Sequence, residues 1–177
     1  MILKELDPFH GSKNDLADRI EADRLAYYLR RYFRRSREVD VINGLRVHAG
    51  NSFARVDHLL LHAHGLLVLE RELAIGVVQI DDDGQWSQWD NGLLVPRGSP
   101  ITRAYVQALL LKSFLDRRVQ QKGFFDRLEL VVLVGVSDTC DSQWPATGRL
   151  AEVCKRDDVR ERVDLRLEQC KALAEVY

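Results

Sequence analysis

Two neighbouring segments indicate the fold class of this chain: residues 53–61 read FARVDHLLL, and residues 66–72 read LLVLERE. The first segment alternates along its length, and the second is apolar along its body and acidic at its end, so both are predicted as β-strands. Residues 62–65, HAHG, predict the turn between them. The two strands are therefore expected to pair as neighbours in a central β-sheet.

Helical patterns lie on both sides of these strands in the sequence. Residues 15–35 carry apolar side chains at mostly three- or four-residue spacing, which predicts an amphipathic helix. Ser99 and Pro100 suit the N-cap and first position of a second helix that continues to about residue 121. A third helix is predicted to begin at Asp157 or Asp158, because an acidic residue there can cap it.

The remaining strands complete an α/β pattern. Residues 128–136 are almost continuously apolar, as expected of a strand covered on both faces. Residues 76–80 predict a shorter strand, and Asn43-Gly44 marks a bend or bulge in an earlier one. Helices on both sides of a mixed sheet give a three-layer sandwich. We expect one domain over residues 15–177, preceded by an irregular N-terminal lead-in over residues 1–14.

The composition excludes several classes of protein. The chain has 177 residues, with 26 Lys and Arg against 27 Asp and Glu, and 46% of it is apolar. These values are typical of a globular domain and argue against long disorder. No apolar run approaches the roughly 20 residues of a membrane span, and the N-terminus lacks the pattern of a secretory signal. With only three cysteines, the expectation is a reduced cytoplasmic protein without membrane contact.

Three acidic residues stand out on the central strands: Asp57, Glu70 and Glu72. Strict alternation places Glu70 and Glu72 on one face of their strand and Arg71 on the other. If the strands pair, Asp57 approaches Glu70 closely enough to share a divalent cation, and oxygen ligands suit Mg²⁺ or Mn²⁺. The alternative is that Asp57 caps a turn, while Glu70 and Glu72 are solvated charges paired with Arg71 or Arg55. Spacing alone leaves both interpretations open.

A cluster of arginines marks the end of the first predicted helix. Arg30, Arg31, Arg34 and Arg35 lie largely off its apolar stripe. One interpretation is a solvated face with favourable charge at the helix C-terminus. The other is a patch that contacts nucleic-acid phosphates.

The order of several motifs resembles the nuclease-related domain (NERD), within the restriction-endonuclease-like PD-(D/E)xK superfamily. The central motifs are ARVDHLLL at 54–61 and GLLVLERE at 65–72. The resemblance runs from about residue 20 to 165 through further short motifs: AYYLRR at 26–31, GVV at 76–78, GQWS at 84–87, WDNG at 89–92, SPI at 99–101 and RLAEVCK at 149–155. It implies a mixed sheet flanked by helices and a divalent metal, Mg²⁺ or Mn²⁺, bound by Asp57 and Glu70.

The chain departs from the family pattern at three positions. Glu72 stands where the family usually has a lysine, and Arg103 stands where it usually has a glutamine. The acidic residue expected in the first helix is poorly matched, because Ala22 falls near its position, with Glu21 and Asp23 on either side. Glu72 could serve as a third metal ligand, and Arg103 could restore the positive charge at the scissile phosphate.

Two functions remain open from the sequence. The first is a metal-dependent nuclease acting on DNA through Asp57, Glu70, Glu72 and Arg103. The second is a catalytically degenerate nuclease fold that serves as a nucleic-acid-binding or protein-interaction module. Protein partners or oligomerisation are compatible with either function.

Overall fold

The computed structural model describes residues 1–73, 76–119, 123, 125, 129–138, 140–146, 148 and 150–176. Within these residues, the α-helices are α1 (Leu16–Phe33), α2 (Pro100–Arg118) and α3 (Val159–Val176). The strands, in chain order, are β1 (Ile2–Lys4), β2 (Asp40–Ala49), β3 (Ser52–His62), β4 (Gly65–Glu72), β5 (Val77–Ile80), β6 (Trp86–Asp90), β7 (Leu93–Arg97), β8 (Glu129–Val136), β9 (Asp141–Gln143) and β10 (Val153–Lys155).

A six-stranded mixed sheet forms the middle layer, in the order β1-β2-β3-β4-β8-β10. The strands β2, β3 and β4 pair antiparallel, whereas β8 runs parallel to both β4 and β10. On one face, Leu25 and Val163 of the helices α1 and α3 pack with Leu67 and Leu133 of the sheet. On the other face, Ala104 and its neighbours on α2 pack with the sheet. The predicted three-layer α/β sandwich is therefore confirmed.

The helices α2 and α3 begin close to where the sequence predicts. The Oγ of Ser99 accepts a hydrogen bond from the backbone N–H of Thr102 at 3.3 Å, and Pro100 follows it, so the N-cap of α2 forms as expected. The predicted end of this helix near residue 121 lies outside the described residues, and α2 ends at Arg118. The helix α3 begins at Val159, directly after the predicted capping residues.

The N-terminal lead-in is not wholly irregular. The strand β1 pairs parallel with β2, in register Ile2 with Val41. The amino group of Met1 also lies 2.9 Å from Oδ1 of Asp40. Three residues are too few to show the alternating pattern of a strand in the sequence. The strand β1 is stabilised by its pairing with β2.

A second sheet, in the order β7-β6-β5-β9, packs beside α2 through Val78, Ile80 and Trp86. The sequence predicts β5, and residues 85–92, which read QWSQWDNG, predict the antiparallel hairpin that β6 and β7 form. It does not predict β9, which is only three residues long.

Alternation along β3 breaks at Asp57, where strict periodicity predicts a continuous face. Val56 and Leu59 both belong to the core on the α2 side, although their positions differ by three and regular alternation would put them on opposite faces. The neighbouring strand β2 turns through Gly44, whose φ is +62°, and the pairing resumes on either side. Asp57 therefore stands where the strand changes the face that it buries, and it lines two cavities, one beside residues 6–11 and one beside α2.

Candidate active site

Asp57 and Glu70 lie side by side on the neighbouring strands β3 and β4. Asp57 directly precedes His58 and Glu70 directly follows Leu69, and His58 and Leu69 are paired across the two strands. The backbone N–H of Asp57 donates to Oε1 of Glu70 at 3.2 Å. Both residues line an open cavity of about 480 Å³ that also reaches α1, α2 and β7. The sequence prediction that these two carboxylates approach each other agrees with this geometry.

The charge of this pair is only partly balanced. Burial and, second, the negative charge of Asp57 together raise the pKa of Glu70 to about 8, while Arg71 acts in the opposite direction. A carboxyl group that keeps its proton near neutral pH indicates two acids that compete for too little positive charge. A divalent cation at this position would remove that repulsion.

Arg71 is closer to Asp57 than strand alternation predicts. Its Nη1 lies 2.9 Å from Oδ1 of Asp57, and its backbone N–H donates to Oδ2 of Asp57 at 3.3 Å. Alternation points Arg71 and Glu70 to opposite faces, but the break at Asp57 lets this aspartate contact both residues. The interpretation without a metal pairs Glu70 or Glu72 with Arg71 or Arg55. Arg71 instead forms ion pairs with Asp57 and Asp18, and Arg55 lies 3.9 Å from Asp18.

Asp18 of α1 is the acidic residue that the sequence analysis missed. Its Oδ2 lies 2.5 Å from Nη2 of Arg71, and its side chain faces the cavity of Asp57 and Glu70. Asp18 lies four residues before Ala22, one helical turn away on the same face, which is the signal that could have identified it. Glu21 and Asp23, the neighbours of Ala22, instead pair with Arg156 and Arg19.

Glu72 is held by two arginines at the rim of the same cavity. It is buried and pairs with Nη2 of Arg103 from α2 and, at 3.3 Å, with Nη2 of Arg97 from β7. The structure thus brings Arg103 to the site as predicted. It adds Arg97 of β7, which no motif in the sequence marks as a site residue.

The donor set suits a hard divalent cation with few protein ligands. Among the described residues, no group of three or more His, Cys, Asp or Glu side chains is positioned to hold a metal. Mg²⁺ commonly binds through one or two carboxylates and retains several waters. Asp57 and Glu70 therefore fit such an ion as a pair, whereas both oxygens of Glu72 face guanidinium groups.

The arginine cluster of α1 lies away from these carboxylates. Arg30, Arg31, Arg34 and Arg35 line a separate surface cavity of about 430 Å³. Asp18 is at the opposite end of the same helix, and the rise per residue gives a separation of roughly 18 Å along the axis from Asp18 to Arg30. Nη2 of Arg30 pairs with Glu5 at 2.8 Å, so part of the cluster is neutralised.

Comparison with known proteins identifies the family. The nuclease-related domain (NERD) family matches residues 18–134, a range that contains Asp18, Asp57, Glu70, Glu72 and Arg103. No curated protein and no solved structure matches the chain. None of the helices among the described residues is long and apolar enough to cross a membrane. The match covers well over half of the sequence, and the chain therefore belongs to the nuclease-related domain family.

Proposed function

We propose that this protein is a metal-dependent nuclease that cleaves phosphodiester bonds in DNA at the cavity of Asp57 and Glu70. The observation that carries the proposal is the adjacent carboxylate pair, in which the pKa of Glu70 is raised to about 8 by burial and by Asp57. Buried like charges are unfavourable unless a ligand neutralises them, so the arrangement favours cation binding. Perturbed groups of this kind cluster at functional sites.

Asp57 and Glu70 would hold Mg²⁺ or Mn²⁺, which would supply Lewis-acid activation of the phosphate and of the attacking water. Arg71 fixes the orientation of Asp57 through its 2.9 Å contact, and Asp18 in turn holds Arg71. Glu72 anchors Arg97 and Arg103, whose guanidinium groups can bind the non-bridging phosphate oxygens. Two arginines would thus supply the positive charge that the family usually obtains from a lysine.

Cleavage assays test the proposal directly. We expect Mg²⁺- or Mn²⁺-dependent cleavage of single-stranded, duplex or nicked DNA that is lost in Asp57→Asn and Glu70→Gln. The matched control is Asp116→Asn, which removes an exposed carboxylate that pairs with Lys112 on α2. Absence of cleavage by the wild type with either metal on all three substrates would contradict the proposal.

A second candidate is a catalytically degenerate fold that binds DNA without cutting it. Two observations favour it: Arg71 already neutralises Asp57, and Glu72 occupies the lysine position. This candidate predicts DNA binding that survives Asp57→Asn but weakens when Arg30, Arg31, Arg34 and Arg35 are neutralised, with a smaller salt dependence. Binding that does not respond to these arginines would count against it. For either candidate we propose a cytoplasmic location, in keeping with three free, buried cysteines.

A further inference from the structure

Four side chains form a basic and aromatic surface on the hairpin of β2 and β3. Arg46 pairs across the strands with Arg55, and His48 pairs with Phe53. All four side chains are exposed. The intervening residues Leu45, Val47 and Val56 pack toward α2, so the four project from the opposite face of the sheet. We call Arg46, His48, Phe53 and Arg55 the hairpin face.

The charges of these two arginines are only weakly balanced by acidic partners among the described residues. Like charges directly opposite on a sheet destabilise it. Arg55 has one ion pair, at 3.9 Å from Asp18, and that aspartate is already engaged by Arg71. Arg46 makes no hydrogen bond or ion pair with any residue that the structure describes. An anionic ligand would offset the repulsion between these two charges.

The aromatic pair beside them presents a stacking surface. The rings of His48 and Phe53 lie 5.1 Å apart at an interplanar angle of 67°. Phe53 remains 45% exposed despite this contact. Exposed aromatic rings next to arginines are the arrangement with which proteins bind unpaired bases, because base stacking needs a base face that a duplex keeps covered.

The hairpin face leads directly into the candidate active site. From Asp57 to Arg55 and from Arg55 to Phe53, each step is two residues along β3, or about 6.8 Å. Arg46, Arg55 and Asp57 also line a cavity of about 490 Å³, whose other wall includes residues 6–11. A single polynucleotide strand could therefore pass from the aromatic rings, over the arginines, to the carboxylates.

We infer that the hairpin face binds an unpaired stretch of a DNA strand next to the phosphodiester at Asp57 and Glu70. Arg46 and Arg55 contact consecutive backbone phosphates, and Phe53 with His48 stacks on a base. This inference rests on the proposed function for the role of the carboxylates, but it assigns the substrate a structure: a single strand, an overhang or a flap rather than a continuous duplex.

The test measures binding in EDTA, where no metal-dependent cleavage occurs. The probes are a fluorescein-labelled oligothymidylate, a blunt DNA duplex of the same length and an oligouridylate, titrated with the full chain at several salt concentrations. We expect the oligothymidylate to bind more tightly than the duplex. The double variant Arg46→Gln/Arg55→Gln should weaken that binding and lower the salt slope by about 0.7 for each lost phosphate contact.

Further variants separate charge from stacking. Phe53→Ala should weaken oligothymidylate binding about tenfold while leaving the salt slope unchanged. The double variant Arg46→Lys/Arg55→Lys should keep most of the salt slope. The matched control, Arg160→Gln/Arg166→Gln, removes two arginines from α3 and should bind like the wild type.

The outcomes distinguish this inference from the proposed function. Wild-type levels of binding in Arg46→Gln/Arg55→Gln and in Phe53→Ala, tighter binding to the duplex, or no binding to any probe would each overturn the inference. Equal loss in the α3 control would also overturn it, since only general charge would then matter. Preference for oligouridylate would replace DNA with RNA as the ligand and so contradict the DNA assignment. Strand binding that depends on the hairpin face, without metal-dependent cleavage, would support the inference while contradicting the nuclease proposal.

Discussion

Arg71 reaches Asp57 from the next strand, with its Nη1 2.9 Å from Oδ1, although regular alternation would put the two residues on opposite faces of the sheet. The same guanidinium contacts Asp18 of α1 at 2.5 Å. A single arginine therefore joins the first helix to the candidate catalytic aspartate. Its charge also competes with any cation that Asp57 binds.

Removing Arg71 should lower the free energy of unfolding of the metal-free protein and raise the affinity of the site for Mg²⁺. In Arg71→Gln we expect the free energy of unfolding in EDTA to fall by about 3 kcal/mol, because Asp57 and Asp18 lose their buried partner. Saturating Mg²⁺ should restore more of the stability of Arg71→Gln than it adds to the wild type, since binding to the folded state raises its stability. Urea denaturation with and without Mg²⁺ measures both effects. Arg160→Gln, on α3, is the control, and an equal response to Mg²⁺ in Arg71→Gln and the wild type would contradict the competition.

Restoring the family lysine at position 72 should not restore a normal site. Glu72→Lys places a third cation against Arg97 and Arg103, so we expect a loss of about 2 kcal/mol in unfolding free energy and no gain in cleavage. The charge-swapped double variant Glu72→Lys/Arg103→Glu should recover part of the lost stability. Thermal denaturation and a cleavage assay on all three proteins provide the comparison. A stable Glu72→Lys variant that gains activity would contradict this prediction, and it would show that Glu72 merely replaces the catalytic lysine without taking a role of its own.

Glu70 should make the metal-free protein less stable as the pH rises. Its pKa is raised from 4.5 to about 8, so the folded state retains a proton that the unfolded state releases. Stability from this group is therefore complete below about pH 4.5 and is lost progressively toward pH 8. We expect the difference in melting temperature between wild type and Glu70→Gln to change across this range in EDTA. A difference that stays constant with pH would show that Glu70 does not titrate in this way.

His58 should have the opposite pH dependence. It is fully buried, its Nδ1 lies 2.8 Å from Oδ1 of Asn43, and burial lowers its pKa from 6.5 to about 4. Below pH 6.5 the unfolded state gains a proton that the folded state does not, so this contribution to stability is lost as the pH falls toward 4. NMR titration of the imidazole checks the pKa directly. A resonance that titrates near 6.5 would contradict the burial argument.

The main sheet and the carboxylate pair could be predicted because long, periodic segments carry their own signal. The strands β3 and β4, the helix α1 and the N-cap at Ser99 are of this kind. The partners of Glu72 could not be predicted: Arg103 lies 31 residues further along the chain, and Arg97 lies on a short strand without a clear pattern. The contact of Arg71 with Asp57 depends on a break in alternation opposite Gly44, so periodicity along β3 alone gives the wrong face.

Because Gly44 adopts a positive φ opposite Asp57, the site cannot be transplanted into another protein with β3 and β4 alone. A graft of β3 and β4 onto a regular sheet would carry every acidic side chain of the strands, yet the recipient strand beside β3 would impose strict alternation. Asp57 would then face one side only and would lose either Glu70 or Arg71. A portable version of the site must therefore include β2, with a residue that accepts a φ of +62° opposite the aspartate.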